Sequence, residues 1–172
     1  RVMSLCRANK IALAMFSGDS SEDLNLLQKS TVPQQDCRTL WRYLREGGLA
    51  NARELFRFVW HGLLGGPHAA LPPRPLPAVA VYHPSSDEAT VTTWQQPGPL
   101  QWQPGAPVVM LLFYKAHLQS GNTQVFADLC QALIAQGMNP LPLALQSLKD
   151  AGCLAALQAL CASEGVALIL NT

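Results

Sequence analysis

From residue 108 onward the chain is built of short apolar runs separated by longer stretches of mixed character. VVMLLFY (108–114), LPLAL (141–145) and VALIL (166–170) are uninterrupted apolar blocks. Between them lie two segments with helical spacing, over about 123–136 and 153–163, closed by Gly137 and Gly165. Runs that lack the in-out alternation of a half-exposed strand predict strands covered on both faces, which is the habit of parallel sheets. The order β-α-β-α-β follows, and with it an α/β class.

The first hundred residues are less regular. The start reads as the tail of a helix, then a strand IALAMF (11–16) ending in a Ser-Gly-Asp turn. Three helical segments follow, in SSEDLNLLQKS, QDCRTLWRYLREGG and NARELFRFVWHGLLGG, the latter two ending in the pairs Gly47-Gly48 and Gly65-Gly66. GPHAALPPRPLP is too proline-rich for a helix or a central strand and predicts an extended connector over the surface. AVAVYHP is a short strand candidate, and a polar, Pro-rich loop runs from Ser85 to Pro107. Together these give parallel-sheet flavodoxin-like or Rossmann-like sub-domains with a helical insert. Residues 1–66 are the end of a first α/β unit plus a helical segment, 67–106 the Pro-rich connector and long loop, and 107–172 a second β-α-β-α-β unit truncated at its C-terminus.

Composition narrows the function. Twelve basic residues stand against eleven acidic ones with no basic cluster, which speaks against nucleic acid as a partner. The apolar runs all fall well short of the roughly 20 residues of a spanning helix, so no membrane segment is expected. Cys6, Cys37, Cys130, Cys153 and Cys161 are odd in number and widely spaced, as reduced, packed thiols of a cytoplasmic protein are. Neither GxxxxGK[ST] nor GxGxxG occurs, so ATP is not expected to bind here, and no spacing of Cys and His suggests a metal site.

Particular residues carry a more specific signal. FYKAHLQSGNT (113–123), GMNPLPLALQSLKD (137–150), LILNT (168–172) and the helical stretch KSTVPQQDCRTLWRYLREGGLANARELFRFV (29–59) resemble, in order, segments of the large subunit of ATP-dependent cobaltochelatase and of the related magnesium chelatase large subunit. In that family an aromatic-Tyr-basic triplet precedes a Gly-Asp-Thr turn; here Asn122 stands in place of the Asp. The STVP and YLREGG segments favour the cobalt enzyme over the magnesium one. The resemblance implies a segment from the N-terminal region of a much longer protein. It also implies a tetrapyrrole substrate, hydrogenobyrinic acid a,c-diamide, into which Co2+ is inserted in cobalamin synthesis. Two smaller subunits are implied as partners, one of them an AAA+ ATPase that uses the ATP.

The residues offer one candidate site. Tyr114, Lys115, His117 and the Gly121-Asn122-Thr123 turn follow a strand and precede a helix, where backbone N–H groups and a cation suit an anionic side group of the macrocycle. Ser147 and Lys149, with Asp150, follow the next strand and would converge on the same crevice. A strand-to-helix loop with a glycine and a cap is required by the fold in any case, and Asn122 is expected to cap the following helix. His61, His68 and His83 are read as structural or exposed. Trp41, Phe56, Phe58 and Trp60 fall at helical offsets that predict core or inter-helix packing, whereas Trp94 and Trp102, in the long loop, are candidate interface anchors. No nucleophile-base pair is visible, so no catalytic residue is assigned and the segment alone is expected to be inactive. A non-catalytic module that grips a ligand or a partner subunit is the alternative of another class. A sheet edge left unpaired predicts self-association.

Overall fold

The computed structural model describes residues 1–19, 21–84, 90–92 and 102–172. It divides into two compact units, Arg1–Pro75 and Leu76–Thr172. The division falls inside the Pro-rich stretch.

The first unit is helical: α1 (Val2–Ala8), the single turn α2 (Leu24–Leu27), α3 (Gln34–Glu46) and α4 (Gly48–Phe58), which runs on into a π-helical turn over Val59–Leu63. The strand expected over residues 11–16 does not form. Its partner is a turn rather than another strand. Leu13 N–H donates to the Thr31 hydroxyl (2.7 Å), Thr31 N–H donates back to the Leu13 carbonyl (2.8 Å), and Met15 N–H donates to the Ser30 hydroxyl (2.9 Å). Side-chain hydroxyls thus satisfy donors that a ladder would otherwise take.

The helix α3 buries Cys37, Leu40 and Tyr43 along one face, with Asp36 in its first turn and Arg45 in its last, as the helix dipole favours. Gly47 and Gly48 both take positive φ (65° and 80°), a conformation a Cβ would oppose, and this lets α4 begin at once. The buried residues of α4 are polar, Asn51 and Glu54. They hold the connector. Between Leu71 and Pro75 only Leu71 and Arg74 have backbone N–H groups, and each is matched: Leu71 N–H donates to Glu54 (2.8 Å) and Arg74 N–H to Asn51 (2.9 Å). The Tyr43 hydroxyl takes the Leu71 carbonyl. With three of its five residues proline, the segment has few donors for a ladder, and helix side chains bind those it has.

The second unit is a five-stranded sheet in the order β2-β1-β4-β3-β5. The expected β-α-β-α-β run is present as β3 (Val108–Tyr114), α5 (Lys115–Ser120) with α6 (Gln124–Ala135), β4 (Asn139–Leu145), α7 (Ala151–Ser163) and β5 (Val166–Asn171), all three strands parallel. Unlike an all-parallel flavodoxin-like sheet, it continues past β4 with two antiparallel strands, β1 (Val79–His83) and β2 (Thr90–Thr92). The chain reaches β1 without a crossover helix, so nothing obliges it to run parallel. The unit is α/β, as its pattern predicts.

The helices cover opposite faces. Leu118, Phe126 and Ala127 of α5 and α6 pack with Phe113, Ala144 and Tyr82. Cys153, Leu157 and Leu160 of α7 pack with Met110, Leu112, Leu141 and Leu143. The reason is topological: β3 to β4 steps one way along the sheet and β4 to β5 steps back over β3, and right-handed crossovers in opposite directions lie on opposite faces. Buried Asn139 fastens the loop before β3, accepting from Gln103 N–H (2.8 Å) and donating to the Gln103 and Ala106 carbonyls (2.9 and 3.2 Å). Trp102 is not an exposed anchor. Its indole N–H donates to the Pro140 carbonyl (3.0 Å) and its ring packs on the α7-side core. Trp94 lies outside the described residues.

Candidate functional site

Where successive crossovers leave for opposite faces, the loops at the carboxyl ends of the two strands part and open a crevice, the usual ligand position in open α/β sheets. Here that point lies between β3 and β4. Tyr114 is in register with Leu145, so Tyr114-Lys115 and residues 146–150 flank it, and Thr172 N–H closes the β5 side on the Leu112 carbonyl (3.0 Å). Of the residues singled out in the sequence, Tyr114, Lys115, Ser147 and Lys149 lie at this end of the sheet.

The structure sorts the candidates. Tyr114 is 49% exposed at the strand end, and Lys149 is exposed across the crevice. Lys115 is engaged: its ammonium donates to the Leu76 carbonyl (2.7 Å). Gln146 N–H donates to the Ala78 carbonyl (2.9 Å) and the Cys153 thiol lies 3.7 Å from the same oxygen. The residues that lead into β1 thus cross the carboxyl end of β4, and Lys115 ties them down. Ser147 accepts Lys149 N–H on its hydroxyl (3.1 Å) and Asp150 N–H on its carbonyl (3.2 Å), shaping the turn into α7. The Asp150 carboxylate caps that helix at Cys153 N–H (2.8 Å), a bond that lowers its pKa.

His117 and the glycine turn lie elsewhere. The His117 ring meets Phe126 edge-on at 5.1 Å and Phe113 at 6.4 Å, beside a Phe113–Phe126 stack at 3.8 Å, so it belongs to the aromatic layer under α5 and α6. Gly121 ends α5 in the left-handed region (φ 72°). Six residues of helix, roughly 9 Å at 1.5 Å each, separate it from the strand end. Asn122 does not cap α6. Thr123 is the capping residue, through its carbonyl, and no side chain takes the cap hydrogen bond. The chain needs one more residue after the left-handed glycine to turn back, which moves the cap along by one.

The four histidines stay apart. His61 Nδ1 lies 2.5 Å from the Gly66 carbonyl, a contact that places the proton on Nδ1; His68 is exposed and His83 is buried in β1, where desolvation lowers its pKa. No group of three His, Cys, Asp or Glu residues that could hold a metal ion occurs among the described residues. No helix among them is long and apolar enough to cross a membrane.

The sequence pattern of the CobN/Magnesium Chelatase family matches residues 41–172, more than half the chain and all of the α/β unit. The chain belongs to that family. Within it, the chain is 43% identical over 155 residues to the aerobic cobaltochelatase subunit CobN of Pseudomonas aeruginosa, spanning 90% of this chain and 12% of that protein. It is 33% identical over 167 residues to the subunit of the same name from a Sinorhizobium species, spanning 95% and 13%. The fold is shared with the catalytic subunit of cobaltochelatase from Mycobacterium tuberculosis, with a TM-score of 0.74 and 26% identity over 99% of this chain and 13% of that one. The chain thus corresponds to about an eighth of these CobN relatives. The cobaltochelatase resemblance drawn from the FYKAHLQSGNT, SLKD and YLREGG segments holds.

Two features escaped the sequence reading. Phe56 and Trp60 are 72% and 56% exposed instead of packed. Asn51 and Glu54, the pair that holds the connector, drew no notice. The signal was available: a stretch LPPRP (71–75) with only two N–H groups, following a helix with an amide and a carboxylate one turn apart.

Proposed function

We propose that this chain is part of the large subunit of an aerobic cobaltochelatase, which inserts Co2+ into hydrogenobyrinic acid a,c-diamide on the way to cobalamin. Two smaller partner subunits assist in a cytoplasmic complex, and ATP is hydrolysed on the one of the AAA+ type. The observation that carries the reading is 43% identity to a CobN subunit across nine-tenths of the chain.

Insertion requires that the macrocycle be held, its two pyrrolic protons removed and the cobalt ion stripped of water. This chain serves the first task. Tyr114 and Lys149 offer a hydroxyl and a cation at the β3/β4 crevice, suited to the carboxylates and amides on a corrinoid rim. Lys115 holds the crevice wall through Leu76 and Ser147 shapes the turn into α7, whereas His117, in the aromatic layer, and Gly121, Asn122 and Thr123, at the far end of α5, are left out of the binding site.

The test is a fluorescence titration of a full-length large subunit carrying this sequence with hydrogenobyrinic acid a,c-diamide and, separately, with protoporphyrin. Saturable binding of the corrinoid, weakened about tenfold in Lys149→Ala, is expected, one charge-assisted bond being worth about 1.5–3 kcal/mol. Preference for protoporphyrin would assign the chain to a magnesium chelatase, and undiminished binding in Lys149→Ala would remove this crevice from the substrate site.

A further inference from the structure

The helical unit exposes more large apolar side chains than it buries: Cys6, Leu27, Cys37, Leu40 and Tyr43 are its buried apolar residues, while Leu49, Phe56, Trp60 and Leu64, all 56% exposed or more, lie along α4 and its continuation. Leu49, Phe56 and Trp60, with Arg53 between them, are spaced 4, 3 and 4 residues apart, the spacing of one helix face. That stripe is about 17 Å long at 1.5 Å per residue.

Trp60 is held in place, unlike an incidental surface aromatic. It sits in the π-helical turn Val59–Leu63, a local irregularity that often marks functional positions. The chain then doubles back through Gly65 (φ 76°) so that Gly66 N–H donates to the Trp60 carbonyl (2.8 Å), and the Gly66 carbonyl meets His61 Nδ1. A Cβ on buried Gly66 would stand 2.0 Å from the indole. Only glycine allows the backbone to lie against the ring. These features fix a half-exposed Trp in one pose, as a pre-organised anchor requires.

We infer that the Leu49–Phe56–Trp60 face docks a helix of the same large subunit lying outside these 172 residues, one that presents an apolar stripe bordered by acidic side chains. The charge follows from α3 and α4, which carry five arginines (38, 42, 45, 53 and 57) against three carboxylates (Asp36, Glu46 and Glu54), with Arg38 paired to Glu22 of the preceding segment. Two of those carboxylates are turned inward beside their own arginines, and Arg42, Arg45, Arg53 and Arg57 are exposed. A second copy brought face to face would set arginine against arginine. On the proposed reading that this chain is part of a large subunit, and since it spans only about an eighth of the CobN relatives it matches, the covering segment comes from the remainder of that subunit and completes a core that the unit has only begun.

The experiment places p-benzoylphenylalanine at position 56 (Phe56→p-benzoylphenylalanine) in a full-length large subunit carrying this sequence, irradiates it, and maps the cross-link by mass spectrometry. The expected product is intramolecular, independent of protein concentration, and joins position 56 to an acid-flanked helix outside residues 1–172. Its yield should fall roughly tenfold when Gly66→Val or Trp60→Ala is added while circular dichroism is unchanged. Absence of a cross-link, a concentration-dependent link to a second copy, a link formed only when another subunit is added, or a yield indifferent to both variants in folded protein would each overturn the inference. None of these outcomes depends on which metal or macrocycle the subunit handles.

Discussion

Asn51 completes the backbone of Arg74 on both sides: its carbonyl oxygen accepts Arg74 N–H at 2.9 Å and its amide donates to the Arg74 carbonyl at 2.8 Å. The same amide reaches the Gly47 carbonyl at 2.8 Å, so one buried side chain joins the start of α4 to the connector. Replacement by Ala or Leu removes these partners from one part-buried N–H and two carbonyls. Asn51→Ala is expected to lower stability by about 3 kcal/mol, read as a shift of the urea midpoint with an unchanged slope. Asn51→Asp should restore only the Arg74 N–H bond and recover part of that loss.

His83 is 1% exposed in β1, and burial there lowers its pKa from the ordinary 6.5. The unfolded chain therefore takes up a proton at a higher pH than the folded one. Stability is unaffected by this group above pH 6.5 and declines as the pH falls below it, by at most about 1.4 kcal/mol per unit until the folded histidine also protonates. Urea unfolding at pH 7.5 and 5.5 measures the decline. His83→Gln should flatten it, and an equal slope in that variant would assign the pH dependence to other groups.

The five thiols differ in reach. Cys6, Cys37, Cys130 and Cys153 are buried, and desolvation pushes the Cys130 thiol up to about 12, whereas Cys161 is half-buried on α7. Because the thiolate is the reactive form, the folded protein should show one rapid equivalent with a thiol reagent at pH 8 and four that react only on unfolding. Cys161→Ser should remove the rapid phase. A second fast equivalent would show that one of the four buried sites opens readily.

How far the sequence carried depends on what each segment packs against. Residues 108–170 were legible because their apolar runs, capping glycines and periodic helices all point to one arrangement, and the position of the crevice follows from strand order alone. The failures share a cause. IALAMF has the composition of a strand but faces the hydroxyls of Ser30 and Thr31, and strand character is fixed by the partner. Phe56 and Trp60 have core-like spacing, yet the surface that would bury them is not in this unit. Within the crevice, sequence proximity placed His117 and Gly121 beside Tyr114, but a six-residue helix and an aromatic stack draw them away. The carbonyl partner of Lys115, 39 residues earlier, could not be read from the sequence.

The strand β5 carries the last prediction. Among the described residues its hydrogen-bonded neighbour is β3 alone, and Leu168, Ile169 and Leu170, whose side chains alternate between the two faces of the sheet, are 51%, 42% and 38% exposed. An edge strand is normally protected by charge, proline or a bulge at its outer side. Residues 166–172, VALILNT, contain neither charge nor proline, and the register shift lies at the first pair, Val108/Val109. The outer edge is therefore a neutral template of about six residues, and antiparallel pairing of two copies about Ile169 would set Ile169 opposite Ile169 and Leu168 opposite Leu170 at its centre. The 172-residue chain is expected to self-associate as its concentration rises in sedimentation velocity runs, and Ile169→Lys to return it to a single monomeric species with the same circular dichroism. A wild-type chain that stays monomeric at high concentration would mean that the exposed edge is too short or too twisted to pair.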